Sequence, residues 1–251
     1  MDSVEILGCR LDVIDAGEAT DAIVRLAHED APAQIVTLGT EMVVYAQHDP
    51  QFRDVVNACA LSLCDTVGLL AAAQQRGAKM RERVTGVELL ELLCARAAQE
   101  QLPVFFFGGA PGVAADAAAI LEVRYPGLIV AGTRDGFFTG EEIPSIVDAI
   151  RASGARLLFV GLGSPRQEMW LAAHLRETVC PVGIGVGGSF DVVSGRVKRA
   201  PLVWRRLGLE WLYRLIREPR RFRRQLALPY FVWLIVLDRM GVGPKRGTSA
   251  T

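Results

Sequence analysis

The sequence predicts an α/β fold: a parallel-sheet, Rossmann-like body with helices on both faces, followed by a basic helical appendage. Three observations predict it. Short apolar runs that do not alternate recur between segments of helical period, as expected of strands buried on both faces. Several of those runs end in Gly, Thr or Asp, residues suited to a turn and a helix start. Charge divides the chain as well: residues 196–246 hold 14 basic and 3 acidic side chains, and residues 1–195 hold 14 basic and 25 acidic, within a formal net charge of zero. An acidic body joined to a basic tail implies an anionic partner for the tail.

Taken in order, residues 4–14 alternate loosely and read as an edge hairpin turning near Gly8. Residues 18–28 have helical spacing, and residues 34–38 form a strand after Pro32, with Thr40 as the expected cap of the next helix. Asp49-Pro50 breaks the pattern, residues 52–60 resume helix, and residues 61–64 are a short strand delivering Asp65 at its carboxyl end. Helices follow over 67–76 and 87–99, separated by the charged stretch that ends in Thr85-Gly86. Strand 103–107 leads through Gly108-Gly109 to an Ala-rich helix over 113–124; strand 128–131 runs toward Asp135-Gly136-Phe137, and helix 141–152 follows. Residues 157–160 are a buried strand that meets Gly161-Leu162-Gly163-Ser164-Pro165, where Ser164 suits the N-cap and Pro165 the first position of helix 166–178. A last strand, 182–186, ends at Gly187. In such sheets ligands bind at the carboxyl ends of the strands, so Thr37, Asp65, Gly108, Gly136, Gly163 and Gly187 should gather along one rim.

The Gly-x-Gly-x-Pro turn admits two readings: a phosphate cradle at a helix N-terminus, or an efficient turn alone. Asp65 likewise reads either as a general base at a strand end or as an ordinary helix cap. Arg81 and Arg83 lie in a charged loop, and Gln167 and Glu168 fall in the first turn after the Gly-rich loop, within reach of a ligand. No metal is expected, because the three histidines (His28, His48, His174) have no ligand spacing. The five cysteines (Cys9, Cys59, Cys64, Cys94, Cys180) lack C-x-x-C spacing and sit in hydrophobic surroundings, which suits reduced thiols in a cytoplasmic compartment. The opening residues show no signal peptide.

Beyond Asp191 the character changes. Residues 203–216 and 220–240 read as two basic, aromatic-containing helices, and the twelve-residue apolar run 226–237 is too short for a spanning helix of about 20 residues. With Arg220, Arg221, Arg223 and Arg224 before it and Tyr230 and Trp233 inside it, it suits an interfacial helix on anionic lipid. Packing on the body or on another subunit is the alternative, and Trp204, Trp211 and Phe222 leave a homo-oligomer open. No nucleic-acid reader motif accompanies the basic residues, so nucleic acid is not an expected partner. The expected domains are 1–195, 196–240 and a flexible tail, 241–251.

Four separated motifs carry a resemblance: RVTG at Arg83 to Gly86, GLGSPRQEMW at Gly161 to Trp170, GVGGSFDVVSGRVKRAP at Gly185 to Pro201, and GLEWLYRLIREPRRFRR at Gly208 to Arg224. In order and spacing the chain resembles the WecG/TagA/CpsF family of bacterial glycosyltransferases, from about Val4 to Met240. The resemblance implies an inverting, metal-independent hexosyltransferase without cofactor, peripheral on the inner face of the cell membrane. Such an enzyme moves an N-acetylmannosamine-type or related sugar from a UDP-sugar to a polyprenyl-diphosphate-linked sugar, in teichoic acid, common-antigen or exopolysaccharide synthesis. By the same resemblance Asp65 is the catalytic base, with Thr37, Arg83 and Gln167 as its companions. Gly136, Phe137, Gly163, Gly187, Gly188 and Asp191 line the UDP pocket, and Arg214, Arg221 and Arg224 meet diphosphate or membrane.

Two departures stand out: the family's Thr-x-Asn-x-Glu reads TLGTE here, with Gly39 in place of asparagine, and Ala-Asp-Gly reads Cys64-Asp65-Thr66. Gly39 removes a hydrogen-bonding side chain near the sugar, which points to a changed donor or acceptor. Two other functions remain open at this stage, a non-enzymatic nucleotide-sugar-binding or membrane-scaffold protein and a nicotinamide-dependent oxidoreductase. The latter is disfavoured by the missing G-x-G-x-x-G.

Overall fold

Six parallel strands, ordered β4-β3-β8-β7-β5-β6, make the central sheet of the computed structural model, which describes residues 2–198, 200–201, 204, 213 and 227–241. The strands are β3 (Ala33–Leu38), β4 (Leu61–Cys64), β5 (Val104–Gly108), β6 (Val130–Arg134), β7 (Leu157–Gly161) and β8 (Val182–Gly185). Their side chains alternate between two apolar layers. Ile35, Leu63, Phe106, Phe159 and Ile184 face α1 (Ala16–His28), α5 (Gly86–Glu100), α6 (Val113–Arg124) and α9 (Ser189–Val193). Val36, Leu38 and Cys64 face the opposite way, toward α2 (Thr40–Ala46), α3 (Pro50–Ala58) and α4 (Val67–Gln75), while Phe107, Leu158 and Val160 face α7 (Ile143–Ser153) and α8 (Arg166–Thr178). Burial on both faces is why β5, β7 and β8 are continuous runs without a polar side chain, whereas the edge strand β6 (VAGTR) is only partly buried.

The first strands, β1 (Ser3–Ile6) and β2 (Cys9–Asp12), form a separate antiparallel hairpin through Leu7-Gly8, both at positive φ. The hairpin covers the β4 edge without joining the sheet. Asp12 Oδ2 accepts from the Ser62 backbone N–H at 2.8 Å, giving a partner to an edge donor. All five cysteines are buried and unpaired. Burial pushes the Cys59 and Cys180 thiols up to about 12, so neither is a thiolate nucleophile at neutral pH.

Several expected helix starts move. Gly39, not Thr40, is the N-cap of α2, because Thr40 is turned into the interior and its backbone N–H donates to Thr66 Oγ1 at 3.3 Å. The expected break at Asp49-Pro50 separates α2 from α3, and the pair itself begins the second helix two residues earlier than expected: Asp49 Oδ1 accepts from Phe52 N at 2.9 Å, and Pro50 takes the first position. At α8 the cap is Pro165, after a cis Ser164–Pro165 bond, so Ser164 lies one residue too early to cap it. Strand β6 begins at Val130 rather than 128; Leu128 is buried beneath the turn, and pairing with β5 starts only after Ile129 O accepts from Val104 N.

Of the appendage, the described helix is α10 (Ala227–Arg239). Phe231 and Leu234 are buried in the layer beneath α2 and α4, and Arg76 pairs with Asp238. On its other side Val232 (54% exposed), Trp233 (53%) and Val236 (46%) face outward. Among the described residues no helix is long and apolar enough to cross a membrane. Most of the expected helix over 203–216, and residues 220–226 of the second, lie outside the described residues.

Candidate active site

Strand β4 ends at Cys64 and presents Asp65, half-buried, at the rim. Its backbone N–H donates to Leu38 O at 2.9 Å, which sets it beside the end of β3. Its side chain reaches across: Oδ1 accepts from the Gly86 N–H at 3.1 Å. Gly86 is the first residue of the 15-residue α5, so the carboxylate lies at the positive end of that helix. The cap of α4, by contrast, is Thr66, so Asp65 does not cap the helix that follows it. It adds an acceptor to the start of α5, whose own cap is Thr85.

Arg83 comes to the same place through the backbone. Val84 N donates to Cys64 O at 2.6 Å, which draws residues 83–85 alongside Asp65. The Cys64 thiol reports both neighbours: burial pushes it up to about 12, the Asp65 charge adds to the rise and Arg83 opposes it.

Thr37, on β3, and Gln167, at the start of α8, close the group. Thr37 Oγ1 donates to Gly185 O at 3.0 Å, tying β3 to the end of β8. Gln167 is buried in the first turn of α8; its Oε1 accepts from Gly187 N at 3.0 Å and its Nε2 donates to Glu168 Oε1 at 2.7 Å. Its amide is therefore fixed in orientation and holds the loop after β8. Glu168 is 1% exposed, and burial pushes its carboxyl above the usual range, with Gln167 and Ser164 opposing the rise. Its Oε2 meets no donor of normal hydrogen-bond geometry among the described residues.

The other half of the rim is more open. Gly136 N donates to Gly109 O at 2.8 Å, joining the loops after β5 and β6. The next residue, Phe137, is 68% exposed, with its N–H held by Asp135 Oδ1 at 2.9 Å. Arg166 stacks on Phe138 at 4.5 Å, beside the Gly163 turn. Gly187 and Gly188 lie between the two halves, and the Asp191 carboxylate approaches Gly188, with Oδ2 3.7 Å from where a Cβ would stand. Across the loop, Arg196 pairs with Asp116 of α6 at 2.7 Å.

The structure thus brings Thr37, Asp65, Arg83 and Gln167 to the ends of β3, β4 and β8. Gly136, Phe137 and Gly163 stand at the ends of β5, β6 and β7, and Gly187, Gly188 and Asp191 between. Arg214, Arg221 and Arg224 lie outside the described residues. Gly86, the last residue of the RVTG motif and given no role by the sequence, joins the candidate site: it donates to Asp65, and its bare side faces Val186 O, Ser189 Oγ and Thr37 Oγ1 at 3.2, 3.3 and 3.5 Å from a Cβ position. Among the described residues no group of three or more His, Cys, Asp or Glu side chains is placed to hold a metal.

This arrangement can accept a proton from a hydroxyl at Asp65 and offer an exposed aromatic face and helix N-termini to a nucleotide diphosphate further along the rim. The family model described as "Glycosyl transferase WecG/TagA/CpsF family" matches residues 4–244.

Proposed function

The chain belongs to the WecG/TagA/CpsF family of glycosyl transferases, which act in cell-surface polysaccharide synthesis, and on that premise we propose inverting, metal-independent transfer with Asp65 as the general base. The donor is a UDP-sugar of N-acetylmannosamine type or a related hexose, and the acceptor is a polyprenyl-diphosphate-linked sugar. A transferase family replaces both the oxidoreductase and the non-enzymatic alternatives.

The carrying observation is Asp65 at the end of β4, its Oδ1 at 3.1 Å from the α5 N-terminal amide and its loop joined to β3. In the proposed step the acceptor hydroxyl gives its proton to Asp65 while its oxygen attacks the anomeric carbon. The bond from that carbon to the diphosphate oxygen breaks, and UDP leaves with the electron pair. Arg83, Arg166 and the helix N-termini at the rim would stabilise the negative charge on the departing diphosphate. Phe137 would offer the uracil ring a face, with Gly136, Gly163, Gly187, Gly188 and Asp191 around the nucleotide. A single displacement inverts the reacting carbon. Nuclear magnetic resonance of the product from an α-linked donor should therefore show a β-glycosidic bond, and an α-linked product would refute the single step.

The reading extends to the inner face of the cell membrane, where a lipid-linked acceptor resides. Supporting it are the outward-facing Val232, Trp233 and Val236 of α10 and the basic residues of 196–240, among them Arg214, Arg221 and Arg224. Because Trp233 is half exposed, Trp233→Ala should weaken flotation with anionic vesicles several-fold while changing stability by less than about 1 kcal/mol. Undiminished flotation would remove α10 from the membrane contact.

A further inference from the structure

Gly39 lies one residue beyond β3, with φ −107° and ψ 165°, a backbone conformation open to any residue. What glycine supplies there is space. A Cβ at position 39 would stand 2.8 Å from Glu41 Oε2, 3.1 Å from its Cδ and 3.2 Å from its Oε1. The Glu41 carboxylate is folded back over Gly39 and fills the volume a side chain at 39, such as the asparagine of the resembling pattern, would take.

The surroundings of that carboxylate belong to the candidate site. Leu38, adjacent to Gly39, accepts the Asp65 N–H at 2.9 Å, and Thr40 N donates to Thr66 Oγ1 at 3.3 Å, so the loops after β3 and β4 are interlocked. On the other side the Glu41 charge reaches Glu168, where it adds to the rise that burial causes. Glu168 itself is 1% exposed, with Oε2 lacking a donor of normal geometry among the described residues. An asparagine at 39 would offer both a donor and an acceptor; a carboxylate in its place only accepts.

We propose that Glu41 is a specificity-determining residue of the transfer site: its carboxylate, lying over Gly39, accepts a hydrogen bond from a hydroxyl or ammonium group of the sugar held at the end of β3, and rejects a sugar that presents a carboxylate there. The selected substrate class is a neutral or amino sugar, and the excluded class is a uronate, because a second ionised carboxylate at this place costs free energy. The inference rests on the glycosyl-transfer reading.

The test compares kcat/KM of the intact chain with that of Glu41→Gln in two arms. One arm varies the donor, UDP-hexose against UDP-hexuronate, with one polyprenyl-diphosphate-linked acceptor. The other holds the donor and varies the acceptor's terminal sugar in the same way, which identifies whose sugar meets Glu41. The intact chain should prefer the neutral sugar by about tenfold or more in one arm, and Glu41→Gln should shrink that preference to about threefold or less by raising use of the uronate. A merely structural role would lower both substrates alike. Glu41 is exposed on the first turn of α2, so the variant should fold, and thermal unfolding checks that it does. An unchanged preference in both arms, a uniform loss of activity, or an intact chain indifferent to the two sugars would overturn the assignment alone. No transfer by the intact chain in any combination would overturn the glycosyl-transfer reading, and this inference with it.

Discussion

Replacing Asp65 by asparagine should lower the rate of sugar transfer by about 10²–10⁴-fold, the usual contribution of a positioned general base. The fold should survive. An asparagine can still accept the Gly86 N–H through its amide oxygen, so the 3.1 Å contact to the start of α5 persists in neutral form. What is lost is a negative charge at a helix N-terminus, worth about 0.3–1 kcal/mol at an exposed or half-exposed site. Activity and stability should therefore separate: a large fall in kcat, a small shift in unfolding midpoint, and little change in donor binding. A folded Asp65→Asn chain with full rate would remove Asp65 from the mechanism.

The largest structural effect is expected at Gly108→Ala, at the end of β5. Gly108 has φ +134°, a conformation L side chains rarely adopt, and an added Cβ would stand 2.4 Å from both the carbonyl carbon and oxygen of Gly161. Backbone strain of that kind costs about 1–3 kcal/mol. Overpacking costs about 1–3 kcal/mol more, and here the obstacle is the backbone of β7, which cannot rotate aside. Together these consume a large part of the roughly 5–15 kcal/mol that holds a domain folded. Urea unfolding measures the loss. The comparison is Gly140→Ala, where nothing lies within 4 Å of the added atom and the change should stay within about 0.5 kcal/mol. If both substitutions cost the same, the close approach of β5 and β7 is not what fixes the centre of the rim.

Much of this architecture was legible because fully buried strands announce themselves. Leu61–Cys64, Leu157–Gly161 and Val182–Gly185 are short apolar runs ended by residues suited to turns, and each lies within a residue of where the sequence puts it. Strand ends gave the rim, so the neighbourhood of Asp65 followed from topology alone. What sequence could not give is which helix a polar residue serves. Asp65 reads locally as a cap for the helix after it, yet its carboxylate accepts from the first N–H of α5, twenty-one residues on and capped by Thr85, because the backbone bond from Val84 to Cys64 folds that helix start beside it. Ser164 and Thr40 failed as caps for a similar reason, since turn geometry displaces the cap by one residue at each helix. Gly39 was readable as a missing asparagine; that Glu41 fills its place depends on a side-chain rotamer, on which the residue order is silent.

Transfer of a sugar from a UDP donor, with Asp65 as base, is open to a direct assay. Radiolabelled UDP-sugars of several kinds would be offered in EDTA to the intact chain with a short polyprenyl-diphosphate-linked N-acetylglucosamine and anionic vesicles. Label should appear in the lipid-linked product from at least one donor, undiminished by the chelator and lost in Asp65→Asn. Label transferred equally by the Asp65→Asn chain, or only when divalent metal is restored, would contradict it.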